Sequence, residues 1–139
     1  DFHTRAHVYR ALIEGLAFAL RSGKERIERR TKTPISCIRL SGGGAQSDQV
    51  AQIVADVLNL PVERCDDCEA SGRGAAMVGA AAVGWYSSIA AAGQAMAGET
   101  HRTTPNPDVT ERYQALYKGQ YRPLYGKLRS LFERQLTAK

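Results

Sequence analysis

No stretch of this sequence approaches the eighteen or so consecutive apolar residues of a membrane-crossing helix, and its first residues lack the basic-then-apolar order of a secretion signal. Neither a membrane partner nor export is supported, and a cytoplasmic address is expected. Cysteine is scarce: three residues, an odd number, argue against a disulfide framework and for thiols in a reducing compartment. A basic block is missing as well. The net charge of +5 is spread over helix faces and does not by itself imply nucleic acid. An initiator Met is absent too, and Asp1-Phe2-His3-Thr4 runs at once into a helical pattern, as in a piece cut from a longer protein. What is present, 139 residues of which 43% are apolar, suffices for one core and hence one domain.

The most informative stretch runs from Ile35 to Gly84. A short apolar run (Ile35, Cys37, Ile38, Leu40) breaks into Ser41-Gly42-Gly43-Gly44-Ala45, and a helical pattern follows. Tandem glycines reach backbone angles closed to other residues and let a flat group lie against the main chain. The helix behind them offers unpaired N–H groups at its start.

Around that turn the periodicities predict the remaining elements. From about Thr4 to Arg30, Val8, Leu12, Leu16 and Leu20 recur every four residues, with Ala11, Ile13, Ala17 and Phe18 widening the stripe, and the last turns from Arg21 onward read as charged and solvated. Thr33-Pro34 ends that helix, and residues 35–40 read as a buried strand. A second helix over 47–58 has Ser47 as N-cap and Asp48 in its first turn. A second strand is expected over 60–63 and a third helix, rich in Gly and Ala and built for close contact, over 69–84. A short helix over 87–97, an extended linker over 103–108 with Pro105 and Pro107, and a helical tail broken at Pro123 complete the chain. This alternation is that of an α/β layer with a mainly parallel sheet flanked by helices. Two strands are too few for a complete sheet, and apolar surface left where further strands and a partner domain belong is expected.

The ordered set Arg39-Leu40-Ser41-Gly42-Gly43-Gly44-Ala45-Gln46-Ser47, Gln52 to Leu58, Pro61-Val62, Glu69-Ala70-Ser71 and Gly74-Ala75-Ala76 resembles the C-terminal signature of the FGGY carbohydrate kinases, the xylulose, glycerol and ribulose kinase family. Glu14-Gly15 and the Tyr-rich tail extend the likeness over nearly the whole chain. The resemblance implies an actin-like (ribonuclease H-like) ATPase architecture of two domains, with ATP in the cleft between them. Residues 1–102 would be the C-terminal subdomain of the second kinase domain, carrying the adenosine loop, and 103–139 a linker and helical tail packed on it. By the same resemblance Gly43, Gly44 and Ala45 lie against adenine and ribose, and Asp48, where many members carry an amide or small polar side chain, reaches the base or sugar. The implied chemistry is transfer of the ATP γ-phosphoryl group to a sugar hydroxyl, a pentulose such as xylulose being favoured, with Mg²⁺ bridging the phosphates and ADP as product. Neither the family's phosphate hairpin nor its catalytic Asp is found here, so no catalytic residue is assigned, and the sugar would be bound by the part N-terminal to this chain. The chain alone should be inactive, and monomer and homodimer are both left open.

Other readings attach to particular residues. The loop lacks G-x-G-x-x-G, whose third glycine falls on Ser47, and no Gly-Lys-Ser/Thr follows, which disfavours Rossmann and P-loop sites. Cys65-Asp66-Asp67-Cys68 has the spacing of half a zinc site without a second pair, and no metal is assigned. Tyr113, Tyr117, Tyr121 and Tyr125 alternate with basic residues, a pattern that could stack on nucleic acid but more often packs a helix on its own domain. Glu14 reads as a local pairing partner. An actin-like ATPase that is not a kinase would share the glycine loop and is the second functional reading.

Overall fold

Thr4 starts the first helix: its hydroxyl accepts the His7 N–H at 3.4 Å, and its own N–H reaches His7 Nδ1 at 3.2 Å. In the computed structural model, which describes residues 2–65 and 69–137, helix α1 (Arg5–Thr31) then runs to a left-handed cap at Lys32. Strand β1 (Ile38–Leu40) leads into a 3₁₀ turn (Gly43–Gln46) and helix α2 (Asp48–Leu58). The expected cap is present, since Ser47 Oγ accepts the Val50 N–H at 3.4 Å, and Asn59, at φ 52°, closes α2 in the left-handed conformation that Asn tolerates. After strand β2 (Val62–Cys65) come helices α3 (Ala70–Ala82) and α4 (Ile89–Ala95), strand β3 (Thr100–Thr103) and helix α5 (Pro107–Leu116). Asn106 caps α5, with Pro107 in the first position, where a missing N–H costs nothing.

The tail breaks where proline requires it. Pro123 cannot donate to the carbonyl of Gly119, and a π turn (Tyr117–Tyr121), in which the Arg122 N–H reaches back to the Tyr117 carbonyl, absorbs the mismatch before helix α6 (Arg122–Thr137).

The sheet has three strands in the order β1-β2-β3, one pair parallel and one antiparallel, so it is mixed where a mainly parallel sheet was expected. The difference is β3, most of which falls ahead of the segment read as a linker. Thr100-His101-Arg102-Thr103 has no apolar alternation, and it pairs because β2 offers it an open edge. Arg39, Glu63 and Arg102 sit opposite one another across the three strands, with both arginines paired to the Glu63 carboxylate at 3.3 and 3.2 Å. This row, read across one face, supports the register.

The core lies between α1, α2, the sheet and α5, and contains Ala17, Phe18, Ala51, Val54, Val57, Leu58, Val62, Tyr113 and Tyr117. Two expectations for α1 are overturned here. The face it buries is Ala17, Phe18 and Arg21, whereas the leucine stripe is open, Leu12 and Leu16 being 64% and 68% exposed. Nor is Arg21 solvated: Nη1 donates to the Val57 carbonyl at 3.0 Å, Nη2 to the Gln114 side chain, and the guanidinium lies 4.1 Å from the centre of the Tyr117 ring. One buried charge thereby ties α1 to α2 and α5, an arrangement that stabilises only because its donors are satisfied.

Three of the four periodic tyrosines pack as the helical reading expected, whereas Tyr125, with Leu124 and Phe132, is largely exposed. Tyr113, Tyr117 and Tyr121 surround Phe18 at ring separations of 6.0, 5.8 and 5.2 Å. Tyr113 donates to Glu14 at 2.6 Å and accepts from Arg10 at 3.1 Å; Glu14 also pairs with Arg10 one turn away at 2.8 Å, the local pairing anticipated for it. Burial, reinforced by the Glu14 carboxylate, pushes the Tyr113 phenol above its ordinary range.

Helix α3 departs from expectation in its contacts. It packs on α4, but a methyl added at Gly72, Gly74 or Gly79 would meet nothing within 4 Å, so these glycines are not in the close contact expected of them. Apart from the buried Ala80, much of its small-residue face joins Val78, Val83 and Trp85 in an open surface, as the leucine stripe of α1 does.

Asp56 joins α2 to the segment before α5. Its buried Oδ1 accepts from Gln52 at 2.8 Å and from the Asn106 N–H at 2.7 Å. Asp56→Ala leaves that backbone donor without a partner and is expected to cost about 2 kcal/mol. Urea unfolding should show a lower midpoint with an unchanged slope.

Candidate functional site

The glycine turn is positioned by the strand before it and the helix after it. β1 ends at Leu40, Gly42 adopts φ 83°, a conformation strained for any residue with a Cβ, and the chain turns through Gly43–Gln46 into α2. Inside the turn the Ala45 N–H donates to the Gly42 carbonyl at 2.9 Å. Gly43 and Gly44 are exposed, and a Cβ built on either would meet no atom within 4 Å. The result is a bare main-chain shelf, open on one side, beyond the C-terminal end of a parallel strand and at the N-terminal end of a helix, where α/β folds seat ligands.

The four residues singled out for nucleotide contact divide into two kinds. Gly43 and Gly44 present main chain to solvent; Ala45 turns inward, 4% exposed, with its N–H bonded to the Gly42 carbonyl and its carbonyl to Arg64, so it shapes the shelf and does not face a ligand. Asp48 stands at the first turn of α2 with its side chain 90% exposed, but it is not free, because its Oδ1 accepts from Arg64 Nη2 at 2.5 Å. Arg64 is the residue that sequence reasoning missed. It lies sixteen positions beyond Asp48, and only the parallel register, which sets Arg64 opposite Leu40, brings it under the turn. Its other terminal nitrogen, Nη1, donates to the Ala45 carbonyl at 2.9 Å. A lone basic residue in the strand after α2 was the one signal available.

Larger grooves among the described residues lie elsewhere. One of about 480 Å³ runs between α1 and α6 past Arg26, Arg29, Arg122 and Tyr125, and an apolar one of about 500 Å³ lies along α3 and α4 beside Val83, Trp85 and Met96. Of the paired cysteines, Cys68 falls outside the described residues with Asp66 and Asp67; Cys65 and Cys37 are free thiols. Among the described residues no group of three metal-ligating side chains converges, and no helix is long and apolar enough to cross a membrane.

The C-terminal domain of the FGGY family of carbohydrate kinases matches residues 1–83, which include the shelf, Asp48 and Arg64. The chain is 35% identical over 131 residues to a ribulokinase of Mycolicibacterium smegmatis and 31% identical over 117 residues to a xylulose kinase of Lactococcus lactis, covering 87% and 84% of this chain. Each alignment takes in 23% of the relative, so the chain spans about a quarter of the length of the curated relatives it matches. Among solved structures, the xylulose kinase of Rhodospirillum rubrum superimposes with a TM-score of 0.76 at 32% identity, covering 95% of this chain and 26% of that one. Its fold is accordingly that of the actin-like sugar kinases, and by the match across its strand, glycine shelf and following helices the chain belongs to the FGGY family of carbohydrate kinases.

Proposed function

We propose that this chain is the nucleotide-binding, C-terminal portion of an ATP-dependent sugar kinase that transfers the γ-phosphoryl group to a carbohydrate hydroxyl, with a pentulose such as xylulose as the favoured acceptor. The observation that carries the proposal is the open shelf of Gly43 and Gly44 at the head of α2, within a chain of this family. A purine nucleoside is flat and needs an apolar or backbone surface with a few polar atoms beside it, which the main chain of Gly43 and Gly44 and the Asp48 carboxylate supply. Among the described residues the shelf is walled on one side only, and on this reading the rest of the kinase supplies the second wall of the slot. The open leucine stripe of α1 and the Val83–Trp85 surface are where that remainder packs.

The chain's own part in the reaction is to hold and orient the adenosine end, so that the phosphates point toward groups it does not contain. Among the described residues no metal-ligating group converges, and the Mg²⁺ that such a transfer uses would be held mainly by the part of the kinase N-terminal to this chain. Alone, the chain is expected to be inactive. The pentulose preference rests on relatives named xylulose kinase and ribulokinase, and a cytoplasmic address accords with ATP and sugar as substrates.

The test is ADP release by the complete kinase carrying this chain, with xylulose, ribulose, glycerol and gluconate as acceptors. A kcat/KM for one pentulose at least about tenfold above glycerol is expected. ATP binding with no acceptor-dependent ADP release would point instead to an actin-like ATPase that is not a kinase.

A further inference from the structure

We propose that Arg64 is a positioning residue for nucleotide binding, a guanidinium clasp that holds the glycine shelf in shape and aims the Asp48 carboxylate; this rests on reading the shelf as the adenosine seat. The clasp follows from topology. Parallel pairing sets Arg64 beside Leu40, the last residue of β1, so its side chain emerges beneath the turn that β1 feeds. From there Nη1 donates to the Ala45 carbonyl at 2.9 Å and Nη2 to Asp48 Oδ1 at 2.5 Å. These two bonds bracket the end of the 3₁₀ turn and the start of α2.

The shelf needs such a tether. Gly42, Gly43 and Gly44 have no side chains to pack, and glycine loses more backbone freedom on ordering than any other residue. A shelf that is disordered before binding must be ordered by the ligand, at the expense of affinity; one already clasped is preorganised. Arg64 is only 13% exposed in its side chain whereas Asp48 is 90% exposed, so the pair is anchored at the arginine end and presents its carboxylate outward. With Oδ1 engaged, the second carboxylate oxygen accepts hydrogen bonds and donates none, which suits a ribose hydroxyl or an exocyclic amino group.

Arg64 also carries a cost that stability alone does not explain. Its Nε is buried with no hydrogen-bond partner, a penalty that an apolar residue of similar length would not incur. Retaining an arginine with one orphaned donor is accounted for by what its other two nitrogens hold.

The experiment compares Arg64→Met, Arg64→Lys, Asp48→Asn and the Arg64→Met/Asp48→Asn double variant in the complete kinase, measuring KM for ATP, KM for sugar, kcat, affinity for a fluorescent ADP analogue and thermal midpoint. Arg64→Met is expected to raise the ATP KM and weaken the ADP analogue about tenfold, the scale of one lost charge-assisted hydrogen bond, while sugar KM and kcat at saturating ATP stay within about twofold. Arg64→Lys, whose ammonium reaches one partner at a time, should recover part of the loss and tests the idea even where Met impairs folding. Asp48→Asn should cost less in the Arg64→Met background than alone, because the clasp it depends on is already gone. Unchanged nucleotide affinity in both Arg64 variants, or ATP and sugar KM rising together with a collapsed thermal midpoint, would overturn the clasp. A parent kinase that fails to bind ATP at all would instead overturn the adenosine reading beneath it.

Discussion

Gly44→Val in the complete kinase is expected to weaken ATP binding by at least about 100-fold, roughly 2.8 kcal/mol, while leaving sugar binding and the thermal midpoint as they were. The asymmetry follows from the surroundings of this glycine. A Cβ at Gly44 meets nothing within 4 Å, and Gly44 lies outside the positive-φ region that holds Gly42, so a side chain can be carried there without clash or backbone strain. Valine restricts its own rotamers in a helical turn, a cost of a few tenths of a kcal/mol. The fold therefore tolerates the substitution, but the added methyl groups rise from the surface on which a flat base or ribose would lie. Gly44→Ala should give a smaller loss of the same kind. Calorimetric titration of ATP and of sugar separates the two ligands, and an unchanged ATP affinity with normal folding would mean that the nucleotide does not rest on this shelf.

Tyr117→Ala is expected to have the opposite profile, a loss of about 3–5 kcal/mol in domain stability, whereas Tyr125→Ala should cost under about 0.5 kcal/mol. Both residues belong to the same four-residue periodicity, so the sequence pattern assigns them alike. In the fold Tyr117 is 2% exposed, held between Phe18 at 5.8 Å, Tyr121 at 5.8 Å and the Arg21 guanidinium at 4.1 Å. Removing it deletes the ring, opens a cavity and strips the aromatic face from a buried charge, three costs that act together. Tyr125 is 70% exposed and, among the described residues, stacks on Phe132 at 6.3 Å. Urea unfolding of the two variants measures the difference. Equal effects would mean that the tail is not docked through Phe18. Tyr113 and Tyr117, packed in the core, have no face to offer a nucleic-acid base.

The residues by themselves determined the local events. A glycine run after a short apolar segment had to turn, Ser47 had to cap what followed, Pro123 had to interrupt its helix, and Glu14 on an otherwise apolar stretch had to find a partner nearby. Each is a matter of backbone angles or of neighbours within a few positions, which a string of letters carries in full. The family likeness from Arg39 to Ala76 is legible for the same reason, since its motifs are ordered along the chain.

Tertiary structure decided everything that depends on which surfaces meet. Helix α1 carries two apolar stripes, Val8-Leu12-Leu16-Leu20 and Ile13-Ala17-Phe18, and periodicity cannot say which one the core takes; α2 and the tyrosines of the tail chose the second, leaving the leucines open. Arg21 reads as solvated until Val57 and Gln114 are seen to accept from it. Strand β3 has no pattern of its own and exists because β2 had a free edge. The Arg64 clasp joins residues sixteen and nineteen positions apart through a parallel register. Local conformation is written in near neighbours along the chain, whereas burial and long-range hydrogen bonding are settled only when distant segments compete for the same space.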